Sequence, residues 1–248
     1  MKNLFNPKKS MIALACVSAL TLAGCGGSSN SSTPAPTPTP APTPAPTPTY
    51  EYEVTVTNIT SNQPLSPITL VTHNDDYKPF SIGEPADAAL ELLAEAGDNT
   101  EVLALSTVVN KASDTDPLGP GKTSTQTIET TDTTLNLSVL SMLVNTNDAF
   151  TGLNSHDLTN YNVGDSMSFR LNVYDSGTEA DSETAETIPG PATMGQGEGF
   201  NAARDDRADQ VTMHPGVVTQ DDGLPDSVLD STHRFDNLVA RVTVKRVK

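Results

Sequence analysis

Tyr50-Glu51-Tyr52-Glu53-Val54-Thr55-Val56-Thr57 alternates aromatic or branched apolar residues with polar ones. Successive side chains of a strand point to opposite faces, so this octet reads as a strand with one buried and one wet face. The same period returns near the other end of the chain. There Leu238, Ala240, Val242 and Val244 alternate with Val239, Arg241, Thr243 and Lys245, and Leu238–Val247 reads as a strand. Between these two, Ile68–His73, Lys122–Glu129, Thr134–Val144 and Ser166–Tyr174 have strand composition and turn residues at their ends. Ala86–Ala96 differs. It is rich in Ala, Leu and Glu, sets Leu90 and Leu93 on one helical face, and stops at Gly97. Asn99–Val109 reads as a second short helix begun by Asn99 or Thr100. Strands outnumber helices and most spacings permit antiparallel connections. The expected fold is mainly β, an antiparallel β-sandwich with a small helical insertion. Residues 176–235 are weakly patterned and rich in Gly, Asp and Pro. Such length without periodicity points to functional loops or poor order.

Upstream of the octet the composition changes twice. Lys2, Lys8 and Lys9 precede an apolar run from Met11 to Ala23, broken only by Ser18 and Thr21. The run is too short for a helix across a hydrocarbon layer of roughly 30 Å, and it reads as an export signal. It ends in Leu22-Ala23-Gly24-Cys25, which resembles a bacterial lipobox. Residues 1–24 are therefore expected to be a lipoprotein signal peptide. Cys25 is expected to be the anchored residue, carrying diacylglycerol and acyl chains such as palmitate, each buried methylene contributing ~0.8 kcal/mol. Gly26, where inner-membrane retention would call for Asp, favours the outer membrane of a bacterial cell envelope. Cys16 leaves with the signal, so no disulfide and no thiolate zinc site are expected. Residues 25–49 form a tether in which every second position from Pro34 to Pro48 is proline, with Ala or Thr between. Such a run is expected to be extended, and the whole tether would reach on the order of 70 Å. Residues 50–248 are left for the folded domain.

Charge narrows the class. Lys2, Lys8 and Lys9 all precede Cys25 and no acidic residue does, which leaves 11 cations against 31 anions and a formal charge of −20 beyond it. Nucleic acid is not an expected partner, since phosphate contacts need clustered Lys and Arg. Trp is absent and aromatics make up 4%, so aromatic-lined sugar grooves are not expected either. Gly119-Pro120-Gly121-Lys122-Thr123 lacks the Gly a phosphate loop requires at position 116, which is Asp, and reads as a turn into a strand. His73, His156, His214 and His233 form no metal-binding pair on a helix, and no Gly-x-Ser-x-Gly elbow exists. No catalytic set is expected. Asp75-Asp76, Asp205-Asp206 and Asp221-Asp222 read as solvated loop charge. Asn145-Thr146-Asn147-Asp148 and Asp175-Ser176-Gly177-Thr178-Glu179 are placed differently, each directly after an apolar strand. Carboxylates converging there would repel unless a hard cation sat between them.

The run Ser138-Val139-Leu140-Ser141-Met142-Leu143-Val144-Asn145-Thr146-Asn147-Asp148-Ala149-Phe150-Thr151-Gly152-Leu153 resembles the spondin N-terminal domain. So do Gly83-Glu84-Pro85-Ala86, Tyr174-Asp175-Ser176-Gly177-Thr178-Glu179 and His214-Pro215-Gly216, in the same order. The likeness runs from about Tyr52 to the last strand. It implies a β-sandwich with a calcium ion held by acidic loop residues, in a family that is extracellular in animals and linked to matrix, adhesion and receptor binding. Carried over by position, the calcium ligands fall on Asp148, Asp175 and Glu179. Two departures stand out. Glu179 is longer than the usual Asp, and the aromatic that follows the first Asp is displaced from Ala149 to Phe150.

The resulting expectation is a surface-tethered, calcium-binding adhesion or recognition module of the cell envelope, non-enzymatic, attached to the membrane through its lipid and facing an extracellular polysaccharide or protein. Two alternatives are an exported hydrolase acting on glycans or esters through loop carboxylates and His214, and a periplasmic envelope-assembly component. Cys25→Ser is expected to leave the domain folded and to release it from membranes. Fractionation after a high-salt wash checks this, and retention of the variant in the outer-membrane fraction would contradict lipid anchoring.

Overall fold

In the computed structural model, which describes residues 45–206 and 208–248, the octet at Tyr50 is strand β1 (Tyr50–Asn58). The expected signal peptide, Cys25 and most of the proline-rich stretch lie outside the described residues. The chain continues through β2 (Thr69–His73), α1 (Ala88–Ala96), α2 (Thr100–Ala104), β3 (Val108–Ser113) and β4 (Thr123–Thr130). It goes on through β5 (Asn136–Met142), β6 (Ala149–Asp157), β7 (Ser166–Leu171), β8 (Val173–Asp175), β9 (Thr212–Met213) and β10 (Ala240–Arg246). These make two antiparallel sheets, one ordered β4-β1-β10-β7 and the other β3-β2-β5-β6-β8-β9. The expected β-sandwich with a small helical insertion is the observed architecture.

Each layer follows from the side-chain pattern. Tyr52, Val54 and Val56 of β1 point inward with Val242 and Val244 of β10, and meet Leu70, Leu137 and Val139 of the six-stranded sheet. The reverse face of that sheet is apolar too, through Val71, Leu140 and Phe150, and α1 covers it with Leu90 and Leu93. The helix starts where the Asp87 side chain accepts the Leu90 N–H at 2.8 Å, and Gly97 ends it in the left-handed conformation. Three layers result: the four-stranded sheet, the six-stranded sheet, and the helices. The outer face of the four-stranded sheet has no covering element among the described residues. Over residues 176–235 the chain has two turns of 3-10 helix and the short β9, packed on a small cluster of Ile188, Val217 and Leu229.

Three segments depart from the sequence reading. The helix expected over Asn99–Val109 ends at Ala104, and Val108–Ser113 is instead the edge strand β3 beside β2. Branched Val108 and Val109 suit a strand, and the open edge of β2 supplies the partner. Ser166–Tyr174, read as one strand, is two. β7 pairs with β10 in one sheet and β8 with β6 in the other, so the chain changes sheets at Asn172. The period of two survives the crossing, because Leu171 and Val173 are both buried. Strand β6 has no strand pattern in the sequence, because Gly152, Asn154 and Ser155 weaken its strand character. Its Gly152 has a structural reason: a Cβ there would lie 2.6 Å from the Val139 carbonyl of β5.

The helical insertion is part of the core rather than an ornament. Leu93→Ala, at a fully buried position on α1, is expected to cost about 2–5 kcal/mol. The thermal midpoint should fall by roughly 5–15 °C. Ile82→Ala, at a side chain 61% exposed, should leave the midpoint nearly unchanged in the same calorimetric scan.

Candidate metal centre

Asp148 is the last residue before β6, and Asp175 is the last residue of β8. The two strands pair with Ala149 opposite Asp175, which sets the two carboxylates at one end of the sheet. The turn after Asp175 then closes over Asp148. Gly177 makes it possible with φ +74, and a Cβ there would meet the Gln210 backbone at 2.4 Å. Its N–H donates to Asp175 Oδ1 at 2.7 Å.

Asp148 is fully buried and its two oxygens have different surroundings. Oδ2 accepts from Ser176 Oγ at 2.9 Å, Thr178 N–H at 2.8 Å, Glu179 N–H at 3.0 Å and Thr178 Oγ1 at 3.3 Å. Oδ1 is buried with no hydrogen-bond partner among the described residues. Burial raises the pKa of this carboxyl more than the donated hydrogen bonds lower it. The donors fix one oxygen and leave the other, a buried acceptor, unsatisfied, a deficit a cation would remove.

Beside it, oxygens of Asp175 and Asp181 and a ring nitrogen of His214 all lie within 4.8 Å of one another. Burial pushes the Asp175 carboxyl up to about 7, helped by the charges of Asp148 and Asp181. The His214 side chain is wholly buried, with Nε2 3.5 Å from Asp181 Oδ1. Burial opposes a charged ring, but Asp181 and Asp175 outweigh it and raise the His214 pKa. The ring's other nitrogen settles its role. Nδ1 accepts the Gly216 N–H at 3.0 Å, so in the neutral ring the proton sits on Nε2. A metal-bound imidazole instead donates from its second nitrogen. In that tautomer His214 turns its Nε2–H toward Asp181 without a hydrogen-bond partner, which leaves the carboxylate oxygens as the candidate ligands.

Glu179, the third residue expected from the resemblance, is buried, but it is not in the group that Asp175 and Asp181 form with His214. It lines a cavity of about 90 Å³ with Asn147, Glu198 and Asp205. Its Oε2 has no hydrogen-bond partner. Burial first, then the nearby Glu95 and Asp148 charges, push its carboxyl up to about 8. Glu95 of α1 is itself buried with an unpartnered Oε1, while its Oε2 accepts the Asn201 N–H at 2.9 Å.

Sequence reasoning missed Asp181, Glu183 and Glu95. Glu183 is 1% exposed, has φ 54, and accepts the Val218 N–H through Oε1 at 3.1 Å, while Oε2 has no partner. Burial pushes its carboxyl up to about 7. The only signals in the chain were the closeness of Asp181 and Glu183 to Asp175 and the His214-Pro215-Gly216 motif. Asp205 and Asp221 are exposed, in keeping with their reading as loop charge.

The donor set fits a hard divalent cation. Asp148, Asp175 and Asp181 offer carboxylate oxygens, Asp148 with one buried oxygen unsatisfied, and no soft ligand is present. Such an ion would neutralise carboxylates that burial holds unfavourably and would tie the 175–181 loop to the sheet. A family model described as Spondin_N matches residues 56–198, more than half of the chain. No curated protein matches it.

The acid cluster sets the pH dependence without metal. Asp175, Glu179 and Glu183 keep their protons to about 7, about 8 and about 7 when folded, against ordinary values of 3.8 for Asp and 4.5 for Glu. Between those limits the folded state binds more protons than the unfolded one, so stability falls as pH rises. In chelator, the thermal midpoint is expected to drop between about pH 5 and about pH 8. Glu183→Gln, which keeps an acceptor for Val218, should reduce the drop. A midpoint that rises across this range would contradict the assignment.

Proposed function

The chain belongs to the spondin N-terminal domain family, and from that membership and its buried acidic loops we propose that it is a calcium-binding, non-enzymatic recognition module of the bacterial cell envelope. The observation that carries the calcium reading is the unsatisfied, fully buried Oδ1 of Asp148, a carboxylate outside the Asp175–Asp181–His214 group but within reach of the charges of Asp175 and Asp181. Asp148, Asp175 and Glu179 are the proposed ligands by family position, and Asp181 joins them by its place beside Asp175. When bound, the ion supplies positive charge that relieves the cluster. The protein's own residues do the rest: Ser176, Thr178 and the Glu179 N–H hold Asp148 in place, and His214 faces Asp181 from the buried side.

A lipid on Cys25 and the extended proline-rich tether would hold this module away from the outer membrane. There it would meet an extracellular polysaccharide or protein. The lipobox-like Leu22–Cys25 and the alternating prolines support this part of the reading.

Calcium that binds only the folded state adds RT ln(1 + [L]/Kd), about 2.7 kcal/mol at one hundred times Kd. Saturating calcium is therefore expected to raise the thermal midpoint of the chain from Pro46 to Lys248 by roughly 5–10 °C over a chelator control. Asp175→Asn should remove most of this shift and Asp221→Asn should not. Magnesium should do less, since it keeps its waters and demands a tighter octahedron. A calorimetric titration without heat of binding at millimolar calcium would sink the site. Equal loss in both variants would mean charge screening across an acidic protein.

A further inference from the structure

The cavity of about 90 Å³ that Glu179 lines is walled by oxygen-bearing side chains. Glu179, Glu198 and Asp205 bring carboxylates to it, and Asn147, Ser182 and Asn201 bring neutral oxygens. Among the described residues, no Lys, Arg, His or Cys lines it. Arg204, next to Asp205 in the chain, is already engaged, since its guanidinium pairs with Glu91 and Asp209. Glu198 and Asp205 are exposed and form the rim. Asp205 is fixed there by its Oδ1, which accepts the Ala180 N–H at 2.8 Å.

Two buried carboxylates at this place lack partners. Glu179 is 7% exposed, and its Oε2 has no hydrogen-bond partner. Beyond burial itself, the charges of Glu95, Asp148 and Asp205 bear on it. Glu95 is 1% exposed and leaves Oε1 without a partner. It stands in the last turn of α1, where the helix dipole presents its negative end and no basic residue offsets it. Its other oxygen accepts the N–H of Asn201, which lines the cavity, so the helix carboxylate backs the cavity wall. Buried acceptors without partners are costly, and like charges brought together add to the cost. The oxygens of Glu179, Glu198 and Asp205 do not all lie within 4.8 Å of one another, as those of the Asp175 group do. The space between them has room for an ion that keeps some of its water, and loop oxygens that can adjust around it suit calcium.

We propose that this cavity binds a second calcium ion, held by Glu179, Glu198 and Asp205 and distinct from the ion at Asp148, Asp175 and Asp181. Glu179 is shared, since its family position assigns it to the first ion and its cavity assigns it to the second. The proposal deepens the calcium reading above through that one residue, and it is tested on rim residues that the first ion does not use. The second ion would tie the stretch 198–205 to the turn after β8 and offset the charge of Glu95 at the helix end. The unit from Pro46 to Lys248 holds all three apolar clusters, so it serves as the test protein.

Calcium bound per chain is counted by equilibrium dialysis with metal analysis, at the lowest calcium level that saturates the unit. The unit should hold two ions. Glu198→Gln with Asp205→Asn, in which Asn keeps an acceptor for the Ala180 N–H, should hold one at that level, the second site weakening roughly tenfold or more. Asp175→Asn should also hold one, and the three substitutions together none. Asp221→Asn with Asp226→Asn makes the same change of charge at exposed positions and should hold two. Thermal midpoints in chelator no lower than the parent's show that each variant folds. A parent that holds a single ion, lost in Asp175→Asn, would overturn this proposal and leave the first site standing. Two ions retained by the Glu198–Asp205 variant would overturn it as well, and so would an ion lost from the Asp221–Asp226 variant. A single ion lost with Glu198 and Asp205 but kept in Asp175→Asn would support this site and remove the first, so the two readings fail separately.

Discussion

Strand β5 is buried along its whole length, from Asn136 to Met142. A strand presents alternate side chains to opposite faces, so a fully buried one must be covered on both. Leu137 and Val139 meet that demand against the four-stranded sheet, and Leu140 meets it against α1 and its neighbours. The rest of the architecture is a consequence. β2 and β6 flank β5 and share its two covers, and the helical insertion has to sit where it does because the sandwich alone would leave one apolar face wet. The chain's crossing at Asn172 follows too, since β8 must extend the six-stranded sheet next to β6 while β7 completes the other.

That framework supplies the rigidity the acidic centre needs. Buried carboxylates are unfavourable, and this fold gathers several: Asp148, Asp175, Glu179, Glu183 and Glu95 are each less than a tenth exposed. They stay together because strand ends and a tight turn hold their backbones. The donors to Asp148 come from three of the four residues that follow Asp175, so the turn and the carboxylate position one another. His214 adds a buried donor from the far end of a long loop, and its own geometry is set by the Gly216 N–H. The cost of this arrangement is electrostatic, and it is a cost that a bound divalent cation would offset.

Charge is divided between the two sides of the molecule's β layers. Acidic side chains crowd the loops at the end of the six-stranded sheet, whereas the four-stranded sheet turns hydroxyls outward with balanced charge, Arg170, Arg241 and Lys245 against Glu51, Glu53 and Glu129.

Elements with one wet face and one dry one are legible from the chain alone. β1, β10 and α1 were legible to within two residues, because polar and apolar positions alternate where solvent lies on one side. Asp148 and Asp175 were legible as well, through their place after apolar strands and through the family resemblance. Whatever depends on burial by a distant segment emerges only when the chain packs. β6 looks like a loop until β5 and β8 flank it, and one period-two run became two strands because a sheet change leaves the alternation intact. Glu183 and Glu95 look like solvated charge in the chain, since an acidic residue carries no local mark of being buried, and the exposed Asp181 meets Asp175 and His214 only in the folded chain. Likewise the Arg170–Arg241 pair exists only through the register of β7 and β10, two strands about seventy residues apart. Local pattern reports which side of an element meets water; only the packed chain sets which far-off residue lies against it.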